Sequence, residues 1–463
     1  MAELNQLINS WKNTEGSVES TDNLLKWISD LNSTIEVGIH KTKMQSNDFW
    51  FYDKEEGIIR NKTRSFFTIS GIKIEDEDGI KLEQPIINQD EIGYLGILCK
   101  EINGEMNFLM QAKIEPGNIN KIQISPTIQA TKSNFTQKHG GRKPAYLDYF
   151  IDASKYNIIV DQIQSEQSSR FYKKRNRNIL IDIGLEQIDI LPTHKWMTLG
   201  QIKELMKIDN LVNMDTRTVI SCIPYSMMNI SKAEFARMEQ CFTNKALLNS
   251  IFRGSENNCL PEIYQYINNY KMFCKDKVSL CSLQELEKWN ITESGVECRE
   301  RYPFKVIYCD IMIEGREVKH WKQPLFEAVG EAFFGLFCCE DEEMIKFLVS
   351  AKAEIGCFDG MELGPTLQEE AGSINVQNNE IVSLFFDKYV KKEGICYDVM
   401  LSEEGGRFYH EQNRNVIIQI DKADVGELPP GYFWMDFKTL NYLIQINNCV
   451  NIQLRNLLSL LEV

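Results

Sequence analysis

Long apolar runs are missing from this chain of 463 residues: no stretch approaches the roughly eighteen uninterrupted apolar residues that a membrane-spanning helix needs. Its start, MAELNQLINSWKNTEGSVES, also lacks the basic region and apolar core of a secretory leader. A cytoplasmic protein with no membrane partner is expected. CxxC pairs are absent, and the thirteen cysteines are odd in number and scattered, with Cys338 and Cys339 adjacent. That arrangement suits neither a disulfide framework nor a zinc knuckle, so reduced, mostly buried thiols are expected. Positive charge is scarce, 51 Lys and Arg against 66 Asp and Glu, which argues against a general nucleic-acid surface because such a surface must neutralise phosphates. Also lacking are a GxxxxGK[ST] loop, a GxGxxG turn, HExxH and GxSxG; ATP hydrolysis, nicotinamide redox chemistry, zinc peptidase activity and serine hydrolysis are disfavoured.

What the chain does have is a long internal repeat. QAKIEPGNINKIQISPTIQA at 111–130 is answered 239 residues later by SAKAEIGCFDGMELGPTLQE at 350–369, SEQSSRFYKKRNRN at 165–178 by SEEGGRFYHEQNRN at 402–415, and Trp196-Met197 by Trp434-Met435. A period this long lies outside solenoid arrays and points to two whole domains of related fold. Leu4, Leu7, Ile8 and Trp11, then Leu24, Leu25, Ile28 and Leu31, carry helical spacing, so residues 1–45 are expected to be a helical cap and 46–220 the first domain. Within it, SFFTISGIKIE and the run 92–115 read as strands with a hairpin at Asn103-Gly104, and 121–130 as one strand. AYLDYFIDAS reads as a helix, NILIDIG as a buried strand, and TLGQIKELMKID as a helix capped by Thr198. Residues 221–300, with ALLNSIF and PEIYQYINNYKMF, are expected to be a helical connector and cap without partner in the first copy, and 301–463 the second domain. Each domain should be a mixed sheet flanked by helices, an α/β (α+β) architecture.

Charge separates the copies. Lys113 to Arg177 holds 12 Lys and Arg against 5 Asp and Glu, whereas Lys352 to Arg414 holds 6 against 12. Only the first copy is prepared for an anion, and the cluster KHGGRK with RFYKKRNR is best explained by a phosphorylated ligand.

Lys113 and Glu115 sit at i and i+2, hence on one strand face, and with Gln129 they recur as Lys352, Glu354 and Gln368; a shared cleft is expected. Arg170, Tyr172, Arg177 and Asn178 recur as Arg407, Tyr409, Arg414 and Asn415, and their forks could hold a pyrophosphate or lock the domain's own carboxylates such as Glu166. Confined to the first copy is TKSNFTQKHGGRKPAYLDYF. Its His139 precedes two glycines that let backbone approach a ligand, beside Lys132, Asn134, Arg142, Tyr146 and Tyr149.

At KIEPGN, SPTIQATKSN, the HGG that follows and SEQSSRFYKKRNRN, the chain resembles the nucleotide-diphosphate hexose 2,3-dehydratases of deoxysugar biosynthesis over essentially its whole length. The resemblance implies two tandem Nudix-like domains, a homodimer, a dTDP-4-keto-6-deoxyglucose type of substrate, and no redox cofactor or metal. It implies no hydrolase activity either, and no REUXEEXGU Nudix box is found in either half. Glu354-Ile355-Gly356-Cys357 replaces EPGN in the second half, so a working site is expected in the first copy and a vestigial or structural pocket in the second. The implied reaction removes the C3 proton beside the C4 ketone, expels the C2 hydroxyl with an acid's help, and tautomerises the enol to a 3,4-diketo-2,6-dideoxy sugar. His139 and Glu115 are each expected to serve as base or acid, with Lys113 stabilising the enolate or orienting Glu115 and Tyr149 a further proton carrier. Asn118, Gln129, Asn134, Tyr146 and Tyr172 would line the substrate, Arg170, Arg177, Lys132 and Arg142 would meet the diphosphate, and Trp50 or Tyr52 would stack on the base. The alternatives are an epimerase or isomerase of the same ketosugar and a non-catalytic nucleotide-sugar-binding module.

Overall fold

The computed structural model describes residues 4–131, 143–254, 259–314, 318–372 and 379–462. It is a mixed α and β structure in which the element order runs through twice. In the first copy two amphipathic helices, Leu4–Lys12 and Thr21–Thr34, bury Leu7, Ile8, Trp11, Leu24 and Ile28. They precede a sheet whose strands Trp50–Asp53, Ile58–Asn61, Thr68–Asp76 and Gly79–Asn88 run antiparallel, with the short Phe171–Tyr172 added parallel to Gly79–Asn88. A seven-stranded mixed sheet follows. Its main path is Asn157–Ser165, Arg175–Asp182, Gly93–Ile102, Glu105–Ile114 and His194–Thr198, with Arg175–Asp182 parallel to Gly93–Ile102. The second copy repeats this path as Ile395–Ser402, Gln412–Gln419, Ala332–Asp341, Met344–Lys352 and Tyr432–Asp436.

Local chemistry explains much of this. Asn103 and Gly104 both take positive φ, 56° and 81°, as a two-residue hairpin twisted to match its strands requires. Thr198 accepts from the Gln201 amide while the Gln201 side chain returns to Thr198, a capping box that starts the helix Leu199–Met206. The stretch 121–130 is not one strand but two, Ile122–Ser125 and Ile128–Ala130. Pro126 supplies no N–H between them, and Thr127 turns its hydroxyl to the Leu98 amide at 2.9 Å. The segment 1–45 ends in a strand, Val37–Lys41, and 221–300 adds three strands, Lys277–Cys281, Trp289–Thr292 and Gly295–Cys298, to its helices.

Those strands interlock the copies. Val37–Lys41 pairs antiparallel with Phe304–Ile313 of the second copy, and Lys277–Cys281 pairs antiparallel with Thr68–Asp76 of the first. The helices Met214–Ser221 and Ile452–Ser459 pack together, and one hydrophobic core runs through both copies. From that helix pair, buried arginines cross over: Arg217 donates to the Ser402 carbonyl at 2.8 Å and Arg455 to the Ser165 carbonyl at 2.7 Å. The described cysteine side chains are all unbridged. Among the described residues, no helix is long and apolar enough to cross a membrane.

Candidate functional site

Lys113 closes the strand Glu105–Ile114, and its ammonium meets Glu115 Oε1 at 3.0 Å. Gln129, on the short strand Ile128–Ala130, donates its amide to the same oxygen at 3.2 Å. Asn213 joins from a third element. Its Oδ1 caps the helix Met214–Ser221 at the Thr216 amide, leaving Nδ2 to reach Ser125 Oγ at 2.9 Å and Gln129 Oε1 at 3.4 Å. Two residues further on, Asp215 is 1% exposed, and among the described residues neither carboxyl oxygen has a hydrogen-bond partner. Burial first, then the charges of Glu166, Glu404 and Glu115, hold its carboxyl well above the usual range against the pull of Lys113.

Part of this cluster belongs to the other copy. Glu404 and Arg407 come from the SEEGGR segment, with Arg407 Nε on Glu404 Oε2 at 2.8 Å and Nη1 on Gln89 Oε1. Glu166 accepts from Asn176, whose Oδ1 accepts from Lys174 at 2.9 Å. Burial, then Arg407, push the Lys174 ammonium down to about 8 despite Glu166, Glu91 and Glu404. The cluster therefore sets Lys113, Lys174 and Arg407 among Glu115, Glu166, Glu404 and Asp215. All are buried except Lys113, which with Gln129 is half-buried and reaches solvent.

The sister cluster keeps the frame and inverts the charge. Gln368 donates to Glu354 at 2.9 Å, and Asn451 donates to Gln368 at 2.9 Å. Here Arg170 crosses from the first copy, its Nη2 on Glu370 Oε2 at 2.7 Å and 3.9 Å from Glu411, over the Phe304 ring. Glu362, Glu403 and Glu411 lie buried beside them. Burial above all raises Glu354, Glu362 and Glu411 to about 7 and Glu403 to about 8. Five carboxyls thus face Lys352 and Arg170, with Arg217 and Arg455 reaching Glu403 and Glu362 from the helix pair, which is poor ground for a diphosphate.

Of the residues singled out from sequence, the fold brings Lys113, Glu115 and Gln129 together. Asn118 is buried beside them, and its amide holds the turn at the Lys121 carbonyl, 2.9 Å. Arg170 is in the other copy's cluster, not this one. Arg177 grips Asp161 with two 2.6 Å bonds on the outside of the sheet. Of the two uses open to these arginines, both are seen locking carboxylates. Tyr146 bonds the Asp189 carbonyl and Leu191 amide, and Tyr149 bonds Glu186 at 2.9 Å, so both are tied to the 183–191 loop. Tyr172 is half-buried against Ile72, Ile86 and Ile355. Trp50 is 3% exposed, packed on Phe67 in an aromatic core, and offers no face to a nucleotide base. Lys132, Asn134, His139 and Arg142 lie outside the described residues; their segment follows directly on Thr131, two residues beyond Gln129.

Asn213, Asp215 and Glu404 carry no sequence expectation, Lys174 is expected only as part of the basic RFYKKRNR cluster, and Arg407 only as the counterpart of Arg170. A signal for Asn213 and Asp215 is present: Asn213 and Arg217 recur as Asn451 and Arg455, with Asp215 answered by Gln453.

Comparison with known proteins is consistent over both copies. A family model described as NDP-hexose 2,3-dehydratase matches residues 21–223 and again 260–461. A Saccharopolyspora spinosa protein named dTDP-4-dehydro-6-deoxy-alpha-D-glucopyranose 2,3-dehydratase is 36% identical over 89% of this chain and 85% of its own length. Proteins of the same name from Streptomyces violaceoruber and Amycolatopsis orientalis are 34% and 31% identical, covering 94% and 96% of this chain and 95% and 91% of theirs.

Proposed function

The chain belongs to the NDP-hexose 2,3-dehydratase family, and from that premise we propose that the Lys113–Glu115 cluster is where it removes water across C2–C3 of an NDP-4-keto-6-deoxyhexose, with dTDP-4-keto-6-deoxyglucose as substrate. The chain is a sugar-nucleotide dehydratase, so its site must carry a proton acceptor near C3, a proton donor near the C2 hydroxyl and positive charge for the enolate. The observation that carries the reading is the difference in charge between the clusters: apart from Arg217 and Arg455, which act on both, three cations meet four carboxyls in the first and two meet five in the second. Glu115, held by Lys113 and the Gln129 amide, takes the C3 proton, and the Lys113 ammonium faces the oxyanion at C4. His139, Lys132, Asn134 and Arg142 remain proposed contacts from the adjoining segment. The repeats are proposed to be Nudix-like domains, and the working protein a homodimer.

Turnover of the 4-keto sugar nucleotide by Glu115→Gln and Glu354→Gln tests this. Loss of a positioned proton-transfer group costs about 10²–10⁴-fold in rate, so Glu115→Gln should fall by that much and Glu354→Gln should stay near the unaltered enzyme. Near-normal turnover by Glu115→Gln would refute the assignment.

A further inference from the structure

The elimination needs two proton carriers of opposite character, and groups whose surroundings push their proton affinities apart reveal which is which. Glu115 has the neighbours that suit a proton-accepting carboxylate, an ammonium at 3.0 Å and an amide donor at 3.2 Å. Asp215 has the opposite setting. It is 1% exposed, neither oxygen receives a hydrogen bond among the described residues, and Glu166, Glu404 and Glu115 bear on it against Lys113, Arg217 and Arg407. Burial, reinforced by the three carboxylates, outweighs these cations, so the group keeps its proton. The carboxyl belongs to the first copy alone: Asn213 and Arg217 recur as Asn451 and Arg455, whereas Gln453 stands where Asp215 would be. An amide cannot give up a proton.

Resting on the assignment of the reaction to this cluster, we propose that Asp215 is the acid that delivers a proton to the departing C2 hydroxyl. Glu115 takes the proton from C3 and the electron pair moves onto the C4 oxygen. The enolate then collapses to a C2–C3 double bond as the C2–O bond breaks, and the Asp215 proton leaves with that oxygen as water. Asp215 is left as a carboxylate. The 3-hydroxyl of the enol product loses its proton and C2 gains one, which completes the 3,4-diketone, and passage of the proton held by Glu115 to Asp215 resets both groups for the next turnover. No oxidant or reductant enters.

The test separates the two proton transfers in Asp215→Asn and Asp215→Gln, the latter copying the residue that the sister helix already accommodates. C3–H exchange of the 4-keto sugar nucleotide with deuterated water reports Glu115, and formation of the 2-deoxy product reports the acid. Water loss should fall by about 10²–10⁴-fold while C3 exchange persists in protein of unchanged melting temperature. Elimination near the unaltered rate in either folded variant, or equal loss of exchange and elimination, overturns the role of Asp215. Exchange that survives Glu115→Gln would instead overturn the siting of the reaction, whatever Asp215 does.

Discussion

In the first copy a lysine–glutamate pair sits beside a buried aspartic acid and two further cations, while in the second the same pair sits among four more carboxyls. The scaffold under both is shared down to single hydrogen bonds: Gln129 on Glu115 matches Gln368 on Glu354, and Asn213 on Gln129 matches Asn451 on Gln368. Divergence has acted on what surrounds that frame. Thr131 becomes Glu370, Lys174 becomes Glu411, Gln123 becomes Glu362 and Asp215 becomes Gln453. The first cluster is nonetheless built in part by the second copy, because Glu404 and Arg407 reach across, as Arg170 does in return. One half supplies both the mirror image of the other's cluster and part of its wall.

Breaking the crossing points should have the largest effect. The Gly117 amide donates to the Gly405 carbonyl at 2.7 Å and its carbonyl accepts from His410 at 2.9 Å; Gly356 makes the matching pair with Ser168 and Lys173, both 2.8 Å. A Cβ on Gly117 would stand 1.4 Å from the Phe408 carbonyl oxygen, and one on Gly356 1.8 Å from that of Phe171. Neither glycine is kept for its φ; close approach of backbone demands it. Gly117→Ala should cost about 3 kcal/mol or more, from two hydrogen bonds of roughly 1 kcal/mol each and overpacking of about 1–3 kcal/mol, and Gly356→Ala a similar amount. Denaturant unfolding checks this, and a large loss in only one of the two would break the symmetry of the interlock.

The same exchange explains what the sequence could and could not say. The 239-residue period, the Asn103-Gly104 hairpin, the Thr198 cap and the shared face of Lys113 and Glu115 are local or repetitive signals, and the fold keeps all of them. Strand exchange leaves no local trace: Val37–Lys41 pairs with a strand more than 260 residues away, and nothing in its composition announces that partner. For the same reason Arg170 and Arg407 read as tools of their own copies, although each works in the other's cluster. Asp215 was hidden by spacing, since only two residues of its pentapeptide survive in the sister helix. Trp50 was misread because an aromatic in an entry strand looks alike from sequence whether it faces ligand or core.

The excess of buried carboxyls in the second cluster gives the comparison a pH signature. Glu354, Glu362 and Glu411 titrate near 7 and Glu403 near 8 in the folded chain, above the ordinary 4.5. The folded state therefore holds protons that the unfolded state has released, and stability is lost as pH rises from about 5 to about 8. His194, lowered to about 4 by burial, acts against this below its usual 6.5, but it is one group against four. Above that window Lys203, near 7, and Lys174, near 8, reverse the trend, because buried neutral lysines favour folding as pH climbs toward 10.5. The melting temperature should pass through a minimum at about pH 7–8. Glu403→Gln keeps the shape of a side chain that accepts from Asn413 at 2.6 Å and should flatten the falling limb. A melting temperature that climbs steadily from pH 5 to 8 would show that these carboxyls are ionised throughout.

The smallest effect is expected at Arg177 and Arg414, and it sharpens the comparison by being equal in the two copies. Each lies on the outside of its mixed sheet and pairs with an aspartate from the neighbouring strand, Arg177 with Asp161 at 2.6 Å and Arg414 with Asp398 at 3.0 Å. About a third of each of the four side chains is open to solvent, so water screens the attraction and each pair contributes about 0.2–1 kcal/mol. Arg177→Ala and Arg414→Ala should lower stability by that amount and leave KM for the sugar nucleotide unchanged, since both guanidiniums are spent on their own domains. A rise in KM confined to Arg177→Ala would mean that Arg177 releases Asp161 to hold the diphosphate. The positive charge of the first copy would then act from the outer sheet face as well as from Lys113, Lys174 and Arg407.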